Sequence, residues 1–253
     1  MLGQEYSVTN HTLGQYHLEK LYSGMEQMGI SCSPSEIEKL LRFYEMLIEK
    51  NKVMNLTAIT EFDDVLEKHF LDSLSLVRNI NLRQRLKVLD LGTGAGFPGI
   101  PLKIVFPELE LVLVDSLNKR IQFLKEVIEK LGLSGITAVH GRAEELAIKA
   151  EYREKFDLCV SRAVANLSSL SEYCIPFVKI GGYFISYKSG EIEEEVKAAK
   201  KAIAVLGGKG VEVEKFTLAG TDISRSFVKI EKKKSTPNFY PRKAGTPSRD
   251  PIH

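Results

Sequence analysis

The chain has 253 residues, 43% of them apolar and 27% charged, with 35 Lys and Arg against 33 Asp and Glu. That is enough for one large α/β domain with an appendage, or for two small domains, and it excludes a chain disordered throughout. No uncharged apolar run approaches the ~20 residues of a bilayer span, residues 1–20 carry no basic-then-apolar leader, and cysteines at 32, 159 and 174 form neither a disulfide framework nor a zinc spacing. A cytoplasmic protein without a membrane partner is expected.

Residues 1–16 show no period and read as a loose arm. From His17 to about Leu86 the pattern is helical. Ser33 is placed to cap a helix over 34–50, with Pro34 as its first residue and Glu36 completing a capping box. Ile37, Leu40, Leu41, Tyr44, Leu47 and Ile48 then fall on one buried face. A second helix over 62–78 repeats the pattern with Val65, Leu66, Phe70, Leu74 and Val77, and 51–60 between them is a loop. At Lys87 the grammar changes. Short apolar runs at 87–91, 109–115, 136–140, 156–161 and 182–187 read as strands, and the stretches after Pro98, Asn118, Ala143, Asn166 and Glu191 as helices. Such βα alternation implies an α/β fold, a parallel sheet with helices on both faces. Segments 211–218 and 227–232 have no helix between them and predict an antiparallel hairpin at the sheet edge.

The first strand runs into Asp90-Leu91-Gly92-Thr93-Gly94-Ala95-Gly96-Phe97-Pro98-Gly99. Alternating glycines let the backbone turn sharply and let a ligand lie against main chain, and a proline can open the following helix. A plain tight turn is the bland alternative. Gly94 to Gly99 also satisfies GxGxxG, the dinucleotide pattern, with Asp115 placed where a ribose-binding acid belongs. Asp90 at the strand end would repel a pyrophosphate and attract a sulfonium or ammonium, which favours S-adenosylmethionine over a dinucleotide. Asp115 suits ribose hydroxyls or, structurally, the cap of the next helix; Glu144 suits the adenine side or a helix first turn.

After the fourth strand comes Ser161-Arg162-Ala163-Val164, without the Asn/Asp-Pro-Pro-aromatic run common in enzymes that methylate exocyclic amines. Cys159 and Cys174 lie in apolar runs and read as core. Arg162 suits a phosphate or the cofactor, or a surface ion pair. His69 and Asp72, three apart on one helix face, are too few for a metal site; a hydrogen bond joining the helices to the sheet is the simpler reading, and no metal is expected. Residues 225–253 hold eight basic and two acidic side chains, a net of +6, so the preceding 224 residues carry −4. A basic end on an acidic body suits nucleic acid or a solvated tail. Tyr240 beside Arg242 adds a ring that could stack on a base.

With these runs in hand, the chain resembles the bacterial 16S ribosomal RNA guanine-N7 methyltransferase family, also called glucose-inhibited division protein B. The matching runs are Asn55-Leu56-Thr57, His69 through Leu74, Asp90 through Pro101, Phe123-Leu124, Arg142-Ala143-Glu144, Phe156-Asp157, Ser161 through Val164, Lys188, Arg225, Tyr240-Pro241-Arg242 and Gly245-x-Pro247. The resemblance implies a Rossmann-like class I S-adenosylmethionine-dependent methyltransferase: a helical cap over 1–86, a seven-stranded domain over 87–232 and a basic tail over 233–253. It implies methylation at N7 of a guanine (nucleotide 527 in customary numbering) in 16S rRNA, with the small ribosomal subunit or its rRNA as partner. Cofactor contacts would fall at Gly92, Phe97, Asp115, Ser116, Leu117, Ala143, Glu144 and Arg162, alongside Asp90, Gly94 and Gly96 from the loop itself. Arg162, Lys188, Arg225, Tyr240 and Arg242 would position the RNA. Guanine N7 has a lone pair and no proton, so no general base is required, and none stands out. A small-molecule methyltransferase, a dinucleotide oxidoreductase and a non-catalytic RNA-binding factor are the alternatives. No extended dimer seam is visible, and a monomer is expected.

Overall fold

A computed structural model describes residues 16–162 and 165–253. The expected arm over 1–16 thus lies, except for Tyr16, outside the described residues, as do Ala163 and Val164. Seven strands form one sheet in the order β3-β2-β1-β4-β5-β7-β6. These are β1 (Lys87–Leu91), β2 (Glu110–Asp115), β3 (Ile136–His140), β4 (Phe156–Ser161), β5 (Val178–Lys188), β6 (Gly208–Thr217) and β7 (Ser224–Lys232). The first five run parallel, and β7 pairs antiparallel with both β5 and β6, so the expected edge hairpin is present.

Side chains alternate along each central strand, and this alternation builds two cores. Val88, Leu158, Val160, Ile185 and Phe227 enter one; Leu89, Leu91, Cys159, Phe184 and Val228 enter the other. The first face is covered by α1 (Glu19–Gln27), α2 (Pro34–Met54), a helical run from Phe62 to Arg78, α5 (Gly99–Val105) and α6 (Asn118–Lys130). The second is covered by α7 (Ala143–Leu146), α8 (Leu167–Cys174) and α9 (Glu193–Val205).

Helix α2 begins as its sequence requires. The Ser33 side chain accepts from the Glu36 N–H, and the Glu36 carboxylate accepts from the Ser33 N–H. It runs four residues past Lys50 and ends at Asn55, whose φ of 48° is left-handed. Asn51 stays helical while its carboxamide accepts from the Leu56 and Thr57 N–H groups and donates to the Thr57 carbonyl, so it folds the following loop back. Leu40, Phe43, Leu47 and Phe70 share one core with Phe97, Ile100 and Leu124, so the helices before residue 87 have no core separate from the sheet's.

The run over 62–78 is not one uniform helix. It passes from α3 (Phe62–Val65) through a π-helical stretch over Leu66–Leu71 to α4 (Asp72–Leu74) and a 3₁₀ turn over Ser75–Arg78. Widening the turn rotates the residues after it about the helix axis, and such insertions are frequent at functional sites. Here it brings His69, Asp72 and Ser73, all buried, to the end of the sheet.

The segment after β7 is packed rather than frayed. Thr236 Oγ1 donates to the Leu206 carbonyl, and Arg153 donates to the carbonyls of Thr236, Pro237 and Tyr240. Arg242 lies on Glu172, which is 1% exposed, and the chain ends in α10 (Thr246–Arg249). The eight basic side chains over 225–253 suit nucleic acid or a solvated tail, yet Arg225, Lys229, Lys232, Lys233 and Arg242 are paired with carboxylates and Arg249 donates to a carbonyl.

Candidate active site

In an open α/β sheet a ligand crevice forms at the carboxyl ends of the strands where strand order reverses. Here that point lies between β1 and its two neighbours, β2 and β4. A cavity of ≈ 410 Å³ occupies it, lined by Leu91 and Gly92 after β1, Asp115 and Ser116 after β2, Ala143 and Glu144 after β3, and Ser161 at the end of β4. Arg120, Arg142, Tyr173, Gly245 and Ser248 also line it.

The glycine loop holds the Gly92, Gly94 and Gly96 residues at φ of 72°, 61° and 106°, left-handed values that side chains rarely adopt. Asp115, 4% exposed, organises the crevice from the far side: its carboxylate accepts from the Gly94 N–H at 3.0 Å, the Leu117 N–H at 2.8 Å and Arg120 at 3.3 Å. Glu144 accepts from the Gly245 N–H at 2.8 Å, and Ser169 donates to the Pro247 carbonyl at 2.6 Å. The docked C-terminal segment is therefore one wall of the crevice.

Asp90 has a different role from the one its position suggests. It is fully buried and does not line the cavity. Its Oδ2 accepts from Thr93 Oγ1 at 2.6 Å and from the Gly99 N–H at 2.9 Å, tying both ends of the loop together. Oδ1 has no hydrogen-bond partner among the described residues. Burial pushes its pKa up to about 6, against the opposing pull of the Thr93 and Gly99 hydrogen bonds and of the Arg162 charge. Gly99 is there because a Cβ would lie 2.2 Å from Leu113 Cδ2 and 2.8 Å from Asp90 Oδ2. The Phe97–Pro98 peptide is cis, and α5 begins at Gly99 rather than at Pro98.

A second cavity, of ≈ 620 Å³, lies beside the first around the ends of β4 and β5. Arg162, Lys188 and Arg225 line it, with Asp72, Asn166, Tyr187 and Glu195. The arrangement turns on Asp72, whose two oxygens take Arg162 Nη1 at 2.9 Å and Arg225 Nε at 2.8 Å. Arg162 also lies 5.5 Å over the Phe97 ring and meets His69 Nδ1 at 3.2 Å. Burial, and then the Arg162 charge, pull the His69 pKa down to about 4, so the ring is neutral at pH 7. His69 Nε2 lies 2.9 Å from Thr57 Oγ1, and the ring stacks on Phe97 at 4.3 Å. Tyr187 donates to the Ser73 carbonyl at 2.9 Å. His69 and Asp72 thus join helices to sheet through a hydrogen bond and two ion pairs.

The family model described as rRNA small subunit methyltransferase G matches residues 36–226. The chain belongs to that family. Its relatives include the ribosomal RNA small subunit methyltransferase G of Alkaliphilus metalliredigens, 52% identical over 92% of this chain and 97% of that one. The protein of the same name from Lachnoclostridium phytofermentans is 52% identical over 90% of this chain and 95% of its own length. Among solved structures, a putative O-methyltransferase from Klebsiella pneumoniae superposes with a TM-score of 0.51 over 76% of this chain and 90% of that one, at 16% identity, a likeness of fold alone. The sheet order and helical cover are those of a Rossmann-like class I methyltransferase.

Within this methyltransferase G family member, the residues singled out by sequence divide cleanly. Gly92, Asp115, Ser116, Ala143 and Glu144 line the first cavity, and Arg162, Lys188 and Arg225 the second. Four of the loop-side residues line neither. Asp90, Gly94 and Gly96 shape the loop from behind, and Phe97, 5% exposed, packs between His69, Phe43 and Phe70. Leu117 is 52% exposed and contributes its N–H to Asp115. Arg162 belongs to the second cavity instead of the glycine-loop crevice. Tyr240 and Arg242 also stand apart from both cavities: Tyr240 packs into the second core and Arg242 is engaged by Glu172 and Asp250. Sequence reasoning did not single out Arg120, Tyr173, Gly245, Ser248, Asn166, Tyr187 or Glu195. For Gly245 the signal was present, in the Gly245-x-Pro247 run; for Glu195 there was none, because it sits among other acids of a helix first turn.

Proposed function

We propose that this chain is an S-adenosylmethionine-dependent enzyme that methylates N7 of a guanine, nucleotide 527 in customary numbering, in 16S rRNA of the small ribosomal subunit. The observation that carries the reading is the pairing of two unlike cavities at the end of one strand: Ser161 lines the crevice of the glycine loop, and the next residue, Arg162, lines the cationic one.

The first cavity suits the cofactor. Gly92, at a φ of 72°, lines the crevice with main chain and no side chain over it. Asp115 offers a carboxylate for ribose hydroxyls, and Ala143 and Glu144 flank the adenine side. When bound, S-adenosylmethionine supplies a methyl group on a sulfonium, a good leaving group for direct displacement. Everything else falls to the chain. Arg162 and Arg225, fixed by Asp72, present guanidiniums to the RNA backbone, where planar forks suit phosphate oxygens. Phe97 and His69 brace Arg162 from behind. Guanine N7 attacks through its lone pair, so no side chain has to take a proton; the work is orientation of nucleophile and methyl group, which is where proximity contributes most. His69, held neutral at pH 7, places no second charge beside Arg162.

Thermal unfolding with added S-adenosylmethionine tests the cofactor, and transfer of labelled methyl to small subunits from cells lacking the enzyme tests the acceptor. Stabilisation by S-adenosylmethionine but not by NAD, with label in 16S rRNA, is expected. Cofactor binding without label in active subunits would overturn the assignment of substrate.

A further inference from the structure

The second cavity holds two carboxylates, and they are not equivalent. Both oxygens of Asp72 are occupied by arginines. Glu195, in the first turn of α9, uses only Oε1, which accepts from Lys188 Nζ at 2.6 Å; Oε2 has no hydrogen bond among the described residues. Lys188 is itself 11% exposed and donates a second hydrogen bond to the Ala165 carbonyl at 2.7 Å, which leaves one of its three N–H donors. The pair therefore presents, side by side on the cavity wall, a cationic donor and a carboxylate with acceptor capacity to spare.

We infer that Lys188 and Glu195 read the Watson–Crick edge of the target guanine. That edge runs O6, N1–H, N2–H₂: acceptor, donor, donor. A lysine next to a carboxylate runs donor, acceptor, acceptor, and matches it in order; adenine, whose N1 is an acceptor, is rejected because it would face Glu195 with no proton to give. The inference rests on the reading of this cavity as the site of the target nucleotide. It also fits the direction of the chemistry. N7 lies on the opposite edge of the base from N1 and N2, so a base held by Glu195, which lines only the second cavity, is free to turn N7 toward the neighbouring crevice. As N7 gains its methyl group the ring becomes cationic and N1–H more acidic, so its bond to a carboxylate strengthens on the way to the transition state. A contact of that kind contributes to turnover as well as to binding.

Small subunits assembled from 16S rRNA bearing guanosine or inosine at the target position provide the test, since inosine keeps N7, O6 and N1–H and lacks only the N2 amino group. The unmodified enzyme is expected to favour guanosine over inosine in kcat/KM by roughly tenfold to a hundredfold, the scale of one hydrogen bond to an ionised group. Glu195→Ala is expected to bring that ratio close to one while S-adenosylmethionine affinity and Tm stay near their original values; Glu195→Gln gives the same comparison with the side-chain volume kept. A ratio unchanged in both variants, or no preference in the unmodified enzyme, would overturn the inference and leave Lys188–Glu195 as a tie between β5 and α9. Absence of transfer to the guanosine subunits by the unmodified enzyme would instead remove the underlying reading of the cavity.

Discussion

Arg242→Ala tests whether the C-terminal segment is a built wall of the glycine-loop crevice. Glu172 is 1% exposed, and Arg242 supplies four of its contacts: backbone N–H at 2.7 Å and Nε at 3.0 Å to Oε1, and Nε at 3.1 Å and Nη2 at 2.7 Å to Oε2. Truncation leaves a buried carboxylate with only the backbone donor among the described residues. Removing one partner of a buried pair costs about 3–5 kcal/mol. The Arg242 side chain is 16% exposed, so water can reach the gap and the lower end applies. For a domain of this size, about 3 kcal/mol lowers Tm by roughly 6–12 °C. Release of the segment would also carry Gly245 and Ser248 away from the crevice, so S-adenosylmethionine affinity should fall and trypsin should cut sooner at Lys243. Thermal unfolding by circular dichroism, limited proteolysis and cofactor titration read all three. A Tm within 1–2 °C of the original (about 0.5 kcal/mol on the same scale), with the proteolytic pattern unchanged, would refute the reasoning.

Three further outcomes are expected. Asp115→Ala should weaken S-adenosylmethionine binding at least tenfold, as about 1.4 kcal/mol of lost contact requires, with secondary structure retained; equal affinity in a titration would remove Asp115 from the site. Arg225→Ala should weaken binding to the small subunit and flatten its salt dependence while leaving cofactor affinity alone; a loss confined to cofactor binding would contradict its placement. His69 has a folded pKa of about 4 against 6.5 unfolded, so the unfolded chain binds more protons between those values and stability should fall as pH drops from 6.5 towards 4, by about 3 kcal/mol. Asp90, raised from 3.8 to about 6, works in the opposite direction over part of that window. The measurement is therefore the difference between the unmodified chain and His69→Gln at each pH, and a difference independent of pH would show that His69 does not titrate there.

How much of this was legible in the sequence depended on whether the determining partner was near in the chain. The strands were legible because they alternate two apolar faces, as Val88 against Leu89 and Leu91 shows, and their partners are other strands with the same period. The capping box at Ser33 and Glu36 closes within three residues, so its start could be placed to the residue. The helix over 62–78 was legible as helix but not as π-helix, since the widening at Leu66–Leu71 leaves the apolar spacing almost intact and serves Arg162, far along the chain. Asp90 shows the same limit. Its place at the strand end pointed to the ligand, yet the pleat turns its side chain to Thr93 and Gly99, and only the backbone trace decides between the two sides. The C-terminal segment was the least legible. Its Pro, Gly and Lys content is that of a solvated tail, and what fixes it is Glu172, Glu144 and Arg153, each more than 65 residues away in sequence. The residues named from sequence that line the two cavities stand at or just past strand ends, as Gly92, Asp115, Arg162 and Lys188 do, where position alone constrains function; Glu195 had no such mark.

The most direct test of the central claim is to locate the methyl group. Small subunits from cells lacking the enzyme would be incubated with the purified protein and S-adenosylmethionine, and the 16S rRNA then cleaved chemically at N7-methylguanine. One new cut at the target guanine is the expected result. Methyl transfer with no cut at any guanine would mean that the acceptor is not N7, and the account of a reaction that needs no general base would be wrong.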